Sequence, residues 1–543
     1  MAQQRGHLGN SFRSLTIAMS ISLAGLLYGL DTGIIASTIA QDSFTKYFFR
    51  GSKDNSIING GIICGYYAGC CVGSAISTWS MDTISRRWSV LLGAFVSIVG
   101  AIIQATSQNI PMIIVGRAFS GFSTGMVYSV APVYLSELAP PENRGFLVGL
   151  KGLMNTAGYL VAGWIGYAGS FAQGDLQWRI PLAMQAPPAA LLALLTFALP
   201  YSPRWCKLIH FSPGERPQYV RYNSISVGLT IFAVLMKERY EDARKVMYYL
   251  HEHRGPEFIE HEYAEMSSQI RLETTRKSKS PFVTLFTRRY ILRTLLGCLI
   301  VNMAKLSGSN VIQNYQSIMY KSLGFQGREV LLITALYGLM GMLGQLISIF
   351  TLSDHWPRRR TVIWGEAVII LTLSILTPLS KEFPDDHNLS GSRAGVAFIF
   401  LYAFFWALFF NSAIWVIVSE IYPLELRATG VGFAMFTQSV TAIWLSFAAS
   451  IAFDRIQWRF YFVFIAMNVF ALTVYYIWLP ETNQLTLEEI AAKFGDVVSE
   501  PVVKSLGDVD GDGGQAAPKE IAKSESSEHV EFAHKGPVPS GQK

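Results

Sequence analysis

Two ionisable side chains interrupt long apolar runs. Asp31 lies inside the first run, in "GLLYGLDTG", and Lys305 inside a later one, in "NMAKLSGSN". A lone carboxylate or ammonium in hydrocarbon is expensive, so each must face protein or water and find a partner there. The carboxylate can pair with a base or take up a proton. The ammonium only donates hydrogen bonds, so it favours an acceptor-rich or anionic neighbour, either a solute or a carboxylate of the protein. More charges gather at the ends of the runs: Asp82 with Arg86 and Arg87, Glu137 with Glu142 and Arg144, Asp354 with Arg358 and Arg359, and Glu420 with Glu425 and Arg427. Such pairs suit a gate that is closed in one state and broken in another, because only a few kcal/mol separates two such states.

The elements that must position these residues are membrane helices. The chain has 543 residues, of which 51% are hydrophobic and 15% charged; soluble domains carry roughly 25% charged residues. A bilayer core needs about 20 apolar residues in a helix. The sequence predicts spans at 15–39, 58–79, 88–106, 111–135, 146–171 and 180–200, then 292–319, 330–352, 361–379, 395–418, 431–453 and 460–479. The fold class is therefore an all-α membrane protein of twelve transmembrane helices in two six-helix halves. Residues 1–14 form an N-terminal segment, 15–200 one bundle, 201–291 a linker, 292–479 the second bundle and 480–543 a C-terminal segment. From about 495 its composition predicts disorder.

The net charge of +6 is spread over short clusters between the runs. That pattern fits the positive-inside rule and argues against a nucleic-acid surface. All the clusters fall on one side, which places both termini in the cytoplasm. The plasma membrane is the expected location, with the bilayer, protons and a small solute as partners. The first run is too long for a cleaved signal and contains Asp31, so it should remain a span. Cys64, Cys70, Cys71, Cys206 and Cys298 mostly lie in apolar stretches and read as packing residues. No phosphate loop, metal cluster or nucleophile elbow occurs, so neither a cofactor nor an enzymatic activity is expected. Asn388-Leu389-Ser390, in the loop between spans nine and ten, is a glycosylation acceptor pattern on the outer side.

Three motifs recur in register. Gln177-Trp178-Arg179 returns as Gln457-Trp458-Arg459, Asp82 with Arg86-Arg87 as Asp354 with Arg358-Arg359, and Ser136-Glu137 as Ser419-Glu420, at offsets of 280, 272 and 283. A solvated loop explains one such pair but not three in order. The reading is an internal duplication around a midplane site.

The motifs "GLLYGLDTG", "DTISRR", "GRAFSG", "PVYLSELAPPENRG", "WRIPLAMQ", "SPRW", "LSGSN", "SEIYPLELRATG" and "PETNQLTLEEI" resemble those of the sugar porter family of the major facilitator superfamily, with a fungal wording in spans seven and eight. The resemblance covers roughly 15–205 and 237–495. It implies alternating access, in which two bundles rock around a central polar cavity. It also implies transport of a hexose, pentose, disaccharide, polyol or related acid, alone or with a proton. Arg117 becomes the implied partner of Asp31 in proton coupling, and Glu137, Arg144, Arg86, Arg87, Glu420, Arg427, Arg358 and Arg359 the implied gate. Asn310, Tyr315 and Trp415 match positions that line the sugar pocket, and Lys305, Asn411 and Gln438 stand where the family presents other polar or turn-forming groups.

The departures are concentrated in that pocket. The family's span-five Gln is Gly152 here, its Gln-Gln pair is Ala304-Lys305, and its span-ten Gly-Pro is Asn411-Ser412. Losing several hydrogen bonders discriminates against the usual sugar, and Lys305 favours a sugar acid or polyol. Ser85 and Pro357 replace the glycines of the two "DxxGRR" loops and should be tolerated, and Tyr201 replaces the Glu of "PESPR". Between Trp205 and Tyr240, where the family runs almost directly on, residues 206–236 are extra: a true insertion or a retained intron. Two alternatives share the fold: an uncoupled uniporter, and a non-transporting nutrient sensor.

Overall fold

In a bilayer every backbone polar group must be satisfied within its own helix or bundle, and the chain accordingly folds as helices. The computed structural model describes residues 12–49, 55–138, 144–202, 281–353, 355–382 and 389–483, with Ile490 and Phe494. Glu142, Asp354, Asn388, the segment 206–236 and the tail from 495 lie outside the described residues, as do the side chains of Asp82, Arg144 and Glu425.

The expected spans correspond to helices, and ten of the described helical segments are long and apolar enough to cross a membrane. In the first half these are Phe12–Ala40, Asn55–Thr83, Arg86–Ala105 and Ile110–Leu138. The fifth, Arg144–Gly169, is 26 residues long but falls short on apolarity, since it carries Lys151, Asn155 and Thr156. The sixth is two helices, Leu176–Ala183 and Ala186–Thr196. Pro181 lies inside the first piece and Pro187 and Pro188 open the second, where a missing N–H costs nothing. A short helix absent from the sequence expectations, Asp42–Phe49, folds Phe44 and Phe48 onto Trp178.

In the second half, spans seven and ten are broken. Span seven runs Ile291–Leu306 and Ser309–Ser322, and span ten Leu389–Phe409 and Ala413–Ile421. Gly308 makes the first break, with φ of +104°, a conformation that costs glycine little and other residues much. The freed carbonyls find partners: Ala304 accepts from Ser309 Oγ at 2.7 Å, and Ser307 from the Tyr402 hydroxyl at 3.2 Å and Asn468 Nδ2 at 3.3 Å. Broken helices near the midplane expose backbone where a cavity can use it. Span eight, Arg328–Ile347, ends in a π turn, Ser348–Leu352; spans nine, eleven and twelve are Arg358–Glu382, Leu424–Arg455 and Tyr461–Trp478.

The halves meet along two seams, span two on span eleven and span five on span eight. Small residues let the backbones close, as membrane packing requires. A Cβ added at Gly338 would sit 2.7 Å from Leu160 Cα.

Candidate solute-binding site

The breaks in spans seven and ten converge on a small polar cavity between the halves. Spans one, four and five supply Tyr28, Tyr128, Asn155 and Tyr159; spans seven, ten and eleven supply Lys305, Gln313, Trp406, Asn411, Trp415 and Gln438. No carboxylate stands in this wall. Lys305 Nζ donates to the Tyr28 hydroxyl at 2.9 Å. The Tyr28 ring stacks on Tyr128 at 4.2 Å, and Tyr128 meets Trp415 edge-on at 5.0 Å. Gln438 Nε2 is spent on the Val301 carbonyl at 2.9 Å. Two wall groups have no hydrogen-bond partner, Trp406 Nε1 and Asn155 Oδ1. A donor, an acceptor and aromatic faces in one cavity are what a polyhydroxylated ring needs.

Both ends of the cavity are shut, each by at least one hydrogen bond between the halves. Toward the face that carries Arg86 and Arg358, Asn411 Nδ2 donates to the Gly152 carbonyl at 2.8 Å, and Asn155 Nδ2 to Asn411 Oδ1 at 3.0 Å. On the opposite side, the Tyr67 hydroxyl of span two donates to Asn310 Oδ1 at 2.5 Å, and Asn310 Nδ2 to Ser446 Oγ at 2.8 Å. The Tyr315 hydroxyl donates to the Ser446 carbonyl at 2.8 Å. Asn310 and Tyr315 were expected to face the solute. Here they form this second seal and do not line the cavity: on the helix after Gly308 it is Gln313 that faces the cavity, while Asn310 and Tyr315 bond to Tyr67 and to the Ser446 region.

Asp31 is fully buried and both its carboxylate oxygens lack a hydrogen-bond partner. Arg117 does reach Asp31, but through the backbone: Nη1 donates to the Asp31 carbonyl at 2.8 Å, while the guanidinium lies 4.5 Å from the Tyr66 ring centre. Arg117 is thus held beside Asp31 by a backbone bond, with no hydrogen bond to the carboxylate itself.

The charged motifs form two matching clusters. Arg86 bonds Glu137 at 3.0 Å, and Glu137 accepts from Ser202 Oγ at 2.5 Å. In the other half Arg358 pairs with Glu420 and donates to the Thr482 carbonyl at 3.3 Å. Arg87 donates to the Phe197 carbonyl and Arg359 to that of Tyr476, each a cation at the end of a helix where such charge is favoured. Arg427 donates to the Tyr422 carbonyl at 3.4 Å. These two ion pairs each lie inside one half, so they brace the bundles; the contacts seen to close the seam are the amide bonds above. Glu481 binds the backbone N–H of Arg358 and of Arg359 at 2.9 and 3.1 Å, capping span nine. Its counterpart, Tyr201, instead accepts from Trp88 Nε1 at 3.2 Å and offers its ring to Arg87 at 5.4 Å.

Sequence reasoning missed Lys151. It is 1% exposed, its ammonium lies 3.4 Å from the Tyr128 ring centre and 4.0 Å from that of Trp415, and it has no hydrogen-bond partner. The signal was available, since a lysine seven residues into span five is as anomalous as Lys305.

Residues 17–211 and 231–494 match the model of the family described as "Sugar (and other) transporter". The chain belongs to this family. It is a multi-pass membrane protein with the major facilitator fold, and the unmatched 212–230 falls within the extra segment 206–236. A high-affinity glucose transporter of Kluyveromyces lactis is 28% identical, with 86% of this chain and 82% of that protein covered. A quinate permease of Neurospora terricola is also 28% identical, with 89% of each covered. Among solved structures, the proton:xylose symporter XylE bound to 6-bromo-6-deoxy-D-glucose is similar at a TM-score of 0.74 and 20% identity, over 89% of this chain and 99% of that one.

Proposed function

We propose that this transporter moves a sugar-related, polyhydroxylated solute together with a proton by alternating access, and that the solute is an acid or polyol rather than a hexose. The plasma membrane, with both termini cytoplasmic, is the setting this reading assumes. The observation that carries it is the cavity between the halves, sealed at both ends and walled by amides, aromatic rings and Lys305. Asp31 follows Tyr28 by three residues, about one helical turn. A proton gained or lost at its carboxylate, which has no hydrogen-bond partner, is therefore felt at the Tyr28–Lys305 contact, which supports coupling at this position.

The names of relatives do not choose the solute, since a glucose transporter and a quinate permease stand at the same identity. The wall chemistry favours the latter class. The hexose-binding amides of span five and span seven are absent, and a cation stands in place of one of them. The test is uptake of labelled glucose, xylose, inositol, gluconate and quinate in a yeast lacking its own transporters, with and without a protonophore. Accumulation of an acid or polyol that collapses with the protonophore supports the reading. Absence of uptake for the whole panel, with the protein present in the membrane, overturns it.

A further inference from the structure

We propose that Lys151 and Lys305 are the two arms of a clamp for one carboxylate, so that the cavity holds a small polyhydroxylated monoanion in preference to a neutral solute of the same shape. This rests on the transport reading above and adds the solute's charge and the residue that senses it from the N-terminal half.

The two ammonium groups flank a single pair of rings. Lys305 holds the Tyr28 hydroxyl at 2.9 Å, Tyr28 stacks on Tyr128 at 4.2 Å, and Lys151 lies 3.4 Å from the centre of Tyr128. Among the described residues neither lysine has a carboxylate within ion-pair reach. An aromatic face returns up to about 2 kcal/mol to a desolvated cation, less than the several kcal/mol that burying an ion costs. Lys151 is therefore held by the rings without an anionic partner. Its four-carbon stem lets the ammonium leave Tyr128 and Trp415, both of which line the cavity, for a better partner inside it. A carboxylate is that partner. Trp406 Nε1 is a further unspent donor in the same wall, and Asn155 Oδ1 an acceptor for a solute hydroxyl.

The two arms belong to different halves, Lys151 to span five and Lys305 to span seven. One carboxylate shared between them ties the halves together and gives both lysines an anionic partner, with one positive charge left over for the whole group. A neutral sugar of the same shape can do neither.

The measurement is the ratio of quinate to inositol uptake, as initial rate over KM, for wild type, Lys151→Gln and Lys151→Arg, with surface expression quantified. Wild type is expected to prefer quinate at least tenfold, Lys151→Gln to lose at least tenfold of that preference, and Lys151→Arg to keep it within about threefold. If Lys151→Gln fails to reach the membrane, wild type is tested with quinate and its methyl ester as inhibitors of inositol uptake. The acid should then inhibit at one tenth or less of the ester concentration. Equal loss of quinate and inositol uptake in Lys151→Gln, or equal inhibition by acid and ester, overturns the clamp. Wild-type uptake of inositol without quinate overturns the clamp alone, and uptake of no solute overturns the transport reading with it.

Discussion

Gly152 and Asn411 occupy each other's space across the seam. The Gly152 carbonyl accepts from Asn411 Nδ2 at 2.8 Å, and a Cβ added at Gly152 would stand 2.8 Å from Ser412 Oγ, 3.1 Å from Gln345 Nε2 and 3.3 Å from Asn411 Nδ2. Two departures from the sugar porter pattern, in spans five and ten, are thus one change: the side chain removed from span five makes room for the amide added to span ten. Gly152→Gln, which restores the family's residue, should cut transport at least tenfold by holding the seam open, an overpacking cost of about 1–3 kcal/mol. Adding Asn411→Gly should recover part of the loss. Uptake rates of the two single variants and the double give the coupling, and additive effects would refute the link.

Asp31→Asn should abolish accumulation against a gradient and leave counterflow exchange measurable. Asparagine keeps the backbone carbonyl that holds Arg117 but cannot bind and release a proton. Equal accumulation by variant and wild type under an imposed pH gradient would exclude Asp31 as the coupling site.

Ser85→Gly should stabilise the protein by about 1 kcal/mol. Ser85 sits at φ 113° and ψ 161°, a region essentially reserved for glycine that costs other residues on the order of 1–3 kcal/mol. The serine offers only a 3.5 Å bond to the Trp88 N–H in return. The loop does not simply tolerate the exchange, as the sequence suggested; it is strained by it. Pro357, at the matching place, cannot take that conformation at all, and Glu481 caps the helix there instead. The midpoint of thermal unfolding in detergent reads the difference.

Glu137→Gln should weaken the first bundle more than Lys381→Gln weakens the second. Breaking a buried pair costs about 3–5 kcal/mol, whereas Lys381 and Glu382 are paired at 3.1 Å on the surface, where pairs are worth roughly 0–1 kcal/mol. Detergent-stability measurements on both variants compare them directly.

Removing residues 206–236 should leave uptake at or above the wild-type rate, since the family match skips 212–230. Transcript reads that join the flanking codons would identify the segment as a retained intron; uniform unspliced coverage would identify an insertion.

Much of the architecture was legible because hydrocarbon imposes one rule on every span, and the repeated motifs at Arg86 and Arg358 marked the halves. Span six was harder: its three prolines announce a break that a hydropathy window averages away. In the site, Lys305 could be read because it replaces an amide in a recognisable motif. Lys151 stands in no such motif, and its only signal was a lysine inside an apolar run. The seal at Asn310 was out of reach, since its partner Tyr67 lies 243 residues away and nothing in the local sequence says that Gln313 and not Asn310 faces the cavity.

If the solute is the acid proposed above and enters with one proton, the cavity wall that carries a cation and no carboxylate also sets what can drive the carrier. A monoanion entering with one proton moves no net charge per cycle. The membrane voltage, worth about 2.3 kcal/mol per charge at 100 mV, then adds nothing to uphill transport. Accumulation is limited to about tenfold per unit of pH difference, since each unit is worth 1.36 kcal/mol. On that reading a depolarised cell keeps accumulating the acid, while one that loses its proton gradient no longer does.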